Sequence, residues 1–269
     1  QLGQSLKTAT IGNLKNPRLD RSLQRRQIDF VQSLNRGLVE KRQSDEQLEG
    51  VIESYELAFR MQSELPRVMS LSKETAETQT AYGIDAKGTD NFGRQCLLAR
   101  RLVERGVRFV ELSCLNEGVG AGNAPNPWDQ HGALQKGHAA MAHQVDQPIG
   151  GLLRDLKARG LLKDTLVVWG GEFGRTPMLQ NDRVTGGRDH HKDAYCIWMA
   201  GGGIQGGVTV GRTDDLGYFP VEDAVHVHDF QATLLHLLGI DHEQLTYKYQ
   251  GRQFRLTDVH GEVVRKVLA

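Results

Sequence analysis

Three short clusters of acidic and imidazole side chains stand out in this chain of 269 residues. They are Asp129 with His131, the single Glu172, and Asp189 with His190. Neutral imidazole combined with carboxylate suits zinc, manganese or iron, whereas carboxylates alone suit calcium or magnesium. We therefore expect these five residues to ligate a divalent metal ion, with zinc, manganese and calcium left open.

Each cluster also has an ordinary structural explanation. A single histidine is more often a hydrogen-bonded core or surface residue than a ligand, and Glu172 can simply cap a turn or pair with Arg175. Arg175 and Arg188 can grip an anionic ester oxygen through their planar guanidinium groups, or they can form plain salt bridges. A shared site is favoured because all three clusters lie at the ends of predicted strands.

The predicted secondary structure would bring the clusters to one edge of a sheet. Residues 165–169 form a short apolar run that stops at two glycines, which is typical of a buried parallel strand. Residues 107–113 and 195–200 are predicted as further strands, and a helix is predicted directly before 107–113 and directly before 165–169. Because ligands bind at the carboxyl ends of such strands, we expect an α/β fold whose central sheet is mostly parallel and flanked by helices.

The N-terminal part of the chain is predicted to be helical. Residues 21–40 and 44–65 carry apolar side chains at helical spacing among charged ones, which indicates two amphipathic helices. We expect residues 1–80 to form a helical N-terminal layer of the same domain, whose α/β core covers residues 81–269.

Composition excludes several classes of partner. Lys plus Arg and Asp plus Glu both number 33, so no overall positive field attracts nucleic acid. No apolar run approaches the roughly 20 residues that cross a bilayer. The three cysteines are widely spaced and form neither a disulfide framework nor a CxxC metal motif. We therefore expect neither a nucleic-acid partner nor a membrane span, and the oligomeric state stays open.

Longer motifs surround the candidate ligands. They read Trp-Asp-Gln-His at 128–131, Gly-Glu-Phe-Gly-Arg-Thr-Pro at 171–177, Gly-Arg-Asp-His-His at 187–191 and Asp-Phe-Gln-Ala-Thr-Leu-Leu at 229–235. Together they resemble the bacterial domain-of-unknown-function family numbered 1501. That family is similar to the sulfatases and the alkaline phosphatase superfamily, so the resemblance implies their fold.

The resemblance also implies roles for particular residues. Glu172 stands where the superfamily has a metal-binding acid, and His190 stands where a later metal-binding histidine falls. Asp129 and His131 stand where an acid and a histidine precede a long helix. The chain departs from the phosphatase pattern at Phe173, where that family carries a second metal-binding histidine.

The function implied is metal-dependent hydrolysis of a sulfate or phosphate ester, with a small-molecule or glycan ester as substrate and with Arg175 and Arg188 neutralising the transferring group. The resemblance further implies that the nucleophile lies in an N-terminal segment outside this chain, which would then be an incomplete fragment. A twin-arginine export signal, common in such proteins, implies an extracytoplasmic location. The departure at Phe173 leaves a second interpretation open: a catalytically degenerate, exported binding module, for example for sulfated glycans.

Overall fold

A computed structural model gives the fold over residues 12, 14–42, 46–114, 128–180 and 186–269. This part of the chain contains six α-helices, which are α1 (Arg21–Arg42), α2 (Glu46–Met69), α3 (Ala76–Ala81), α4 (Asp90–Val103), α5 (Leu134–Ala158) and α6 (Val227–Leu237). Its strands are β1 (Val167–Trp169), β2 (Gly174–Arg175), β3 (His190–His191), β4 (Trp198–Ala200), β5 (Arg212–Thr213), β6 (Pro220–Glu222), β7 (Thr246–Tyr249) and β8 (Arg252–Arg255). Among the described helices, none has the length and apolar character that a membrane span requires.

The hydrophobic core lies between α4 and α5. Helix α4 contributes Phe92 and Leu97, and α5 contributes Met141 and Leu156, all of them buried at helical spacing on facing sides. Burying a large apolar side chain stabilises the fold by about 1.5–3 kcal/mol, so this helix pair supplies the main stabilising contact. The core also receives Trp128, the residue that precedes Asp129.

The prediction of a mostly parallel central sheet is wrong. The strands of the described residues form four separate two-stranded sheets, and every pairing is antiparallel. Strand β1 pairs with β4, so two of the predicted strands do meet, but they run in opposite directions. Residues 107–113, predicted as a third strand, belong to no strand in the described structure. An α/β fold of the alkaline phosphatase type is therefore not supported.

The misinterpretation has a physical cause in β1. Val167 and Trp169 pack against the helical core, whereas the intervening Val168 is 41% exposed. A strand buried on both faces would hide all three side chains. The apolar run thus needs only one covered face, and an antiparallel pair on the side of a helical core provides it.

Helices α1 and α2 form an N-terminal hairpin. Arg25 donates two hydrogen bonds to the carboxylate of Glu56, at 2.7 and 2.8 Å. The buried Gln32 donates from its side-chain amide to the carbonyl of Ile52, at 2.8 Å. The hairpin reaches the core through the C-terminal end of α2, where the buried Val68 lies close to α4.

A buried ionic network fastens α4 to its surroundings. The Arg100 side chain is 3% exposed and lies 2.5 Å from Glu74, 2.7 Å from Glu104 and 3.0 Å from Asp155. Arg101 also pairs with Glu74. The network therefore joins the loop before α3 to α4 and α5, and it depends on Glu74 accepting from two arginines at once.

Candidate metal centre

One carboxylate oxygen lies at the centre of the candidate site. Oδ1 of Asp129 is 2.9 Å from Nε2 of His131, 2.9 Å from Nε2 of His190 and 2.7 Å from an Nη of Arg175. One ligand atom each from Asp129, His131 and His190 lies within 4.8 Å of the other two. The three side chains thus form a possible metal-binding triad, assembled from segments 61 residues apart.

These contacts lower the pKa of Asp129 from 3.8 to about 2. The hydrogen bond from His190 is the largest cause, and the hydrogen bond from Arg175 adds to it. The positive field of Arg175 favours the ionised form as well. Asp129 is therefore ionised at neutral pH, as a metal ligand has to be.

The backbone, not a sheet edge, brings the triad together. Strand β3 carries His190 and pairs with β2, so that His190 lies directly opposite Arg175. Just before β3, the amide of Arg188 donates to the carbonyl of Gln130, at 3.1 Å. The loop between Trp128 and α5 is thereby held against the segment that leads into β3.

Trp128 anchors that loop to the core. Its indole Nε1 donates to the carbonyl of Cys114, at 3.1 Å, and its ring lies edge-on to Trp169 with centroids 5.7 Å apart. Aromatic pairs in this arrangement contribute about 0.5–1.5 kcal/mol beyond the area they bury. Because Asp129 follows Trp128 in the chain, the position of its carboxylate is tied to the rigid helical core.

Gly187 allows the two site segments to touch. A Cβ at this position would lie 2.1 Å from the carbonyl oxygen of Gln130 and 2.3 Å from the amide nitrogen of Gly132. We expect Gly187→Ala to push the segments apart and to weaken Zn²⁺ binding by more than about 10-fold, because geometry at such sites must be held within about 0.5 Å. Isothermal titration of the metal-free protein measures this.

The matched control is Gly206→Ala, because a Cβ there meets no atom within 4 Å. That variant should bind Zn²⁺ as the wild type does. Equal affinities for the Gly187 and Gly206 variants would contradict the close-packing explanation.

The other predicted site residues lie around the triad. Oε1 of Glu172 accepts from Arg175 at 3.2 Å, which is the plain ion pair that the sequence left open. The Asp189 carboxylate accepts the backbone amide of His190 at 2.8 Å, so it borders the triad without joining it. The side chain of Arg188 makes no hydrogen bond or ion pair with any described residue and is exposed.

The neighbouring histidine and phenylalanine have structural contacts. His191 is buried and its Nε2 lies 2.6 Å from the carbonyl oxygen of Tyr218, so it faces away from the triad. The ring of Phe173 lies 4.5 Å from the ring of His190, and the guanidinium of Arg175 lies 5.6 Å from the centre of the Phe173 ring. Phe173 therefore supports the site with an aromatic face and supplies no ligand.

The donor set fits a transition metal. Two imidazole nitrogens and one carboxylate oxygen are the ligand types of catalytic zinc sites, which keep a fourth position open. Calcium takes six to eight oxygen ligands, so this set favours zinc or manganese over calcium. Glu172 and Asp189, which the sequence analysis also proposed as ligands, do not belong to this cluster of three in the described part of the chain.

Sequence reasoning missed one polar side chain at this site. Oε1 of Gln180 lies 2.5 Å from Nδ1 of His131. Gln180 belongs to no short motif and is 49 residues from His131 in the chain, so neither spacing nor residue type pointed to it. The pairing of Arg175 with Asp129 was equally invisible, because only Glu172 lies at salt-bridge spacing from Arg175.

Comparison with known proteins identifies the family of the chain. No curated protein and no solved structure shows significant similarity to the chain. A family model described as "Protein of unknown function (DUF1501)" matches residues 3–268. This confirms the resemblance read from the motifs around Asp129, Glu172 and His190, and the chain belongs to that family.

Proposed function

We propose that this protein binds a divalent metal ion through Asp129, His131 and His190 and hydrolyses a sulfate or phosphate ester there. One observation carries the proposal: three ligand side chains from two distant segments converge within 4.8 Å. A bound divalent ion supplies Lewis acidity toward an ester oxygen. The surrounding protein residues then have to attract the anionic ester and hold it in place.

The charges around the triad support a metal-dependent reaction. Asp129, Glu172 and Asp189 contribute three negative charges, whereas Arg175 and Arg188 contribute two positive ones. The metal-free site therefore repels an anion, and a divalent cation reverses the sign of its net charge. Electrostatic attraction of an anionic ester thus depends on the cation being bound.

The two arginines have different roles in this proposal. Arg175 is engaged with both Asp129 and Glu172, so it orients these carboxylates. The guanidinium of Arg188 is uncommitted among the described residues, and its backbone is bonded to Gln130, beside Asp129 and His131. Arg188 is therefore the side chain that would grip an anionic oxygen of the ester.

The direct test measures metal content and turnover together. The full-length protein, with the N-terminal segment that the resemblance implies, is stripped with a chelator, reloaded with Zn²⁺ or Mn²⁺, and assayed on an aryl sulfate and an aryl phosphate. We expect turnover of one of them by the reloaded protein alone, and loss of that turnover in His190→Ala. A wild-type protein that binds neither ion and turns over neither ester would rule the proposal out.

Replacing Arg188 with alanine should raise KM about 10-fold and change kcat much less. Hydrogen bonds to charged groups are worth about 1.5–3 kcal/mol, and this one would form in the ground state as well as the transition state. Steady-state kinetics on the active ester provide the measurement, with Arg188→Lys expected in between. The control is Arg212→Ala, which removes an arginine that is 65% exposed and paired with Glu222. Equal KM values for Arg188→Ala and Arg212→Ala would show that Arg188 does not bind the ester.

A second candidate function is supported by Phe173. Its ring centre lies 4.5 Å from that of His190 and 5.6 Å from the guanidinium of Arg175. The resemblance implies that related phosphatases carry a ligand for a second metal ion at this position. We propose as the alternative that the site binds a sulfated glycan without turnover. Binding of a sulfated polysaccharide that is unchanged by chelator and accompanied by no hydrolysis would favour this alternative.

A further inference from the structure

His131 has oxygen atoms around both of its ring nitrogens. On one side, Nε2 lies 2.9 Å from Oδ1 of Asp129. On the other side, Nδ1 lies 2.5 Å from Oε1 of Gln180 and 3.9 Å from Oδ1 of Asp189. A neutral imidazole carries one N–H donor and one acceptor lone pair, so only one of the two nitrogens can donate a hydrogen bond to its neighbouring oxygen.

The oxygen atoms on the two sides compete for this proton. The carboxylate of Asp129, 2.9 Å from Nε2, favours a proton on Nε2. The amide oxygen of Gln180 and the carboxylate of Asp189 favour a proton on Nδ1. With the proton on Nδ1, the lone pair of the neutral ring lies on Nε2, and metal ligation requires a lone pair at that atom.

We propose that Gln180 is a positioning residue that shifts His131 toward the Nδ1–H tautomer, in competition with Asp129, and so prepares Nε2 to bind a cation. This inference rests on the proposed metal site and deepens it. If the amide of Gln180 were reversed, it would donate to Nδ1 and move the proton to Nε2, against Asp129. That arrangement satisfies the hydrogen bonds of the metal-free site but blocks the ligand atom, so the orientation of one amide sets the metal affinity.

The backbone keeps Gln180 in place for this role. Its amide nitrogen donates to the carbonyl of Gly187 at 2.9 Å, and these two residues form an isolated antiparallel bridge. Gly187 in turn packs against the backbone of Gln130 and Gly132. The Gln180 side chain is therefore mounted on the same backbone frame that carries His131 and leads into His190. Partners that orient a ligating histidine in this way commonly account for 10–100-fold in metal affinity.

The first test needs no metal. Long-range ¹H–¹⁵N correlation spectra of the chelator-treated protein distinguish the two tautomers of His131, whose signals are assigned with His131→Asn. We expect a larger Nδ1–H fraction in the wild type and in Gln180→Glu than in Gln180→Met, because an amide oxygen or a carboxylate accepts the Nδ1 proton and a thioether accepts it only weakly. In Gln180→Met we expect a shift toward the Nε2–H form, which donates to Asp129. An unchanged tautomer in Gln180→Met would overturn the inference.

The second test is titration with Zn²⁺. Gln180→Met should bind it 10–100-fold more weakly than the wild type, and Gln180→Glu should bind it as tightly or more tightly. Gln253→Met, an exposed substitution on β8, is the control and should have no effect. Wild-type affinity in Gln180→Met, or equal weakening in Gln180→Glu, would overturn the inference. Failure of the wild type to bind Zn²⁺ would instead overturn the proposed function, and the metal-free spectra would still decide the role of Gln180.

Discussion

Replacing Asp129 with alanine should weaken Zn²⁺ binding by more than about 100-fold. Loss of a residue that only orients a metal ligand typically costs 10–100-fold, and loss of a ligand itself should cost more. Asp129 supplies the one carboxylate oxygen that both imidazoles face, each at 2.9 Å. Without it, two neutral histidines remain as ligands, and Arg175 loses its partner at 2.7 Å. The freed guanidinium adds a repulsive positive charge next to the incoming cation. Isothermal titration of chelator-stripped protein measures the loss.

Two further variants make this result specific. Asp164→Ala removes an exposed aspartate beside Lys163 and should bind Zn²⁺ as the wild type does. Asp129→Asn keeps the size of the side chain and removes its charge, so it should lose most of the affinity. If Asp129→Ala retained wild-type affinity, the metal would have to bind elsewhere and the triad would lose its role.

The second large effect concerns stability: Glu74→Ala should lower the free energy of unfolding by about 3–5 kcal/mol, the range typical for breaking a buried ion pair. The Glu74 carboxylate is 8% exposed and accepts from Arg100 and Arg101. Its removal leaves the side chain of Arg100, which is only 3% exposed, without one of its three carboxylate partners. Urea unfolding followed by circular dichroism measures the change.

The interaction of Glu74 with Arg100 and Arg101 also predicts how stability depends on pH. Burial raises the pKa of Glu74, but the hydrogen bonds and charges of Arg100 and Arg101 outweigh it and hold the pKa below its usual 4.5. A carboxylate whose pKa is lowered by folding contributes its full stabilisation above 4.5, and that contribution falls as the pH drops below this value. The stability gap between the wild type and Glu74→Gln should therefore narrow on acidification below 4.5.

Glu77→Ala is the control for the ionic network. Glu77 lies in the first turn of α3 and is exposed, so its removal should cost no more than about 1 kcal/mol. A loss of 3 kcal/mol or more in this variant, or a loss below 1 kcal/mol in Glu74→Ala, would mean that the buried network does not control stability.

Residue types were enough to select the members of the triad, together with Glu172 and Asp189, but not to place them. Asp129, His131 and His190 were predicted because imidazole with carboxylate suits a transition metal, and they do converge. The sequence placed them at one edge of a parallel sheet, whereas antiparallel β2 and β3 and the contact through Gly187 bring them together. Residue type is a local property, but convergence depends on backbone pairings between distant segments, which short motifs do not encode.

The error in the fold has a similar origin. Apolar periodicity indicates which side chains are buried, and it correctly located the segments that form β1 and β4. It does not report the partner of a strand or the direction in which the partner runs. By contrast, the turn of the β7–β8 hairpin contains Gly251, whose positive φ of 83° is a conformation that glycine adopts readily. Local turn chemistry is readable in a single sequence, whereas sheet topology is a property of the whole chain.

The separation of the two site segments links occupancy to folding. Asp129 and His190 are 61 residues apart in the chain, with α5 and β1 between them. Bringing such distant segments together costs conformational entropy, which the packing of α4 against α5 helps to offset. A cation held by both segments acts as a cross-link that exists only in the folded chain. Its binding energy would therefore add to the folding energy, so that melting temperature and metal concentration rise together.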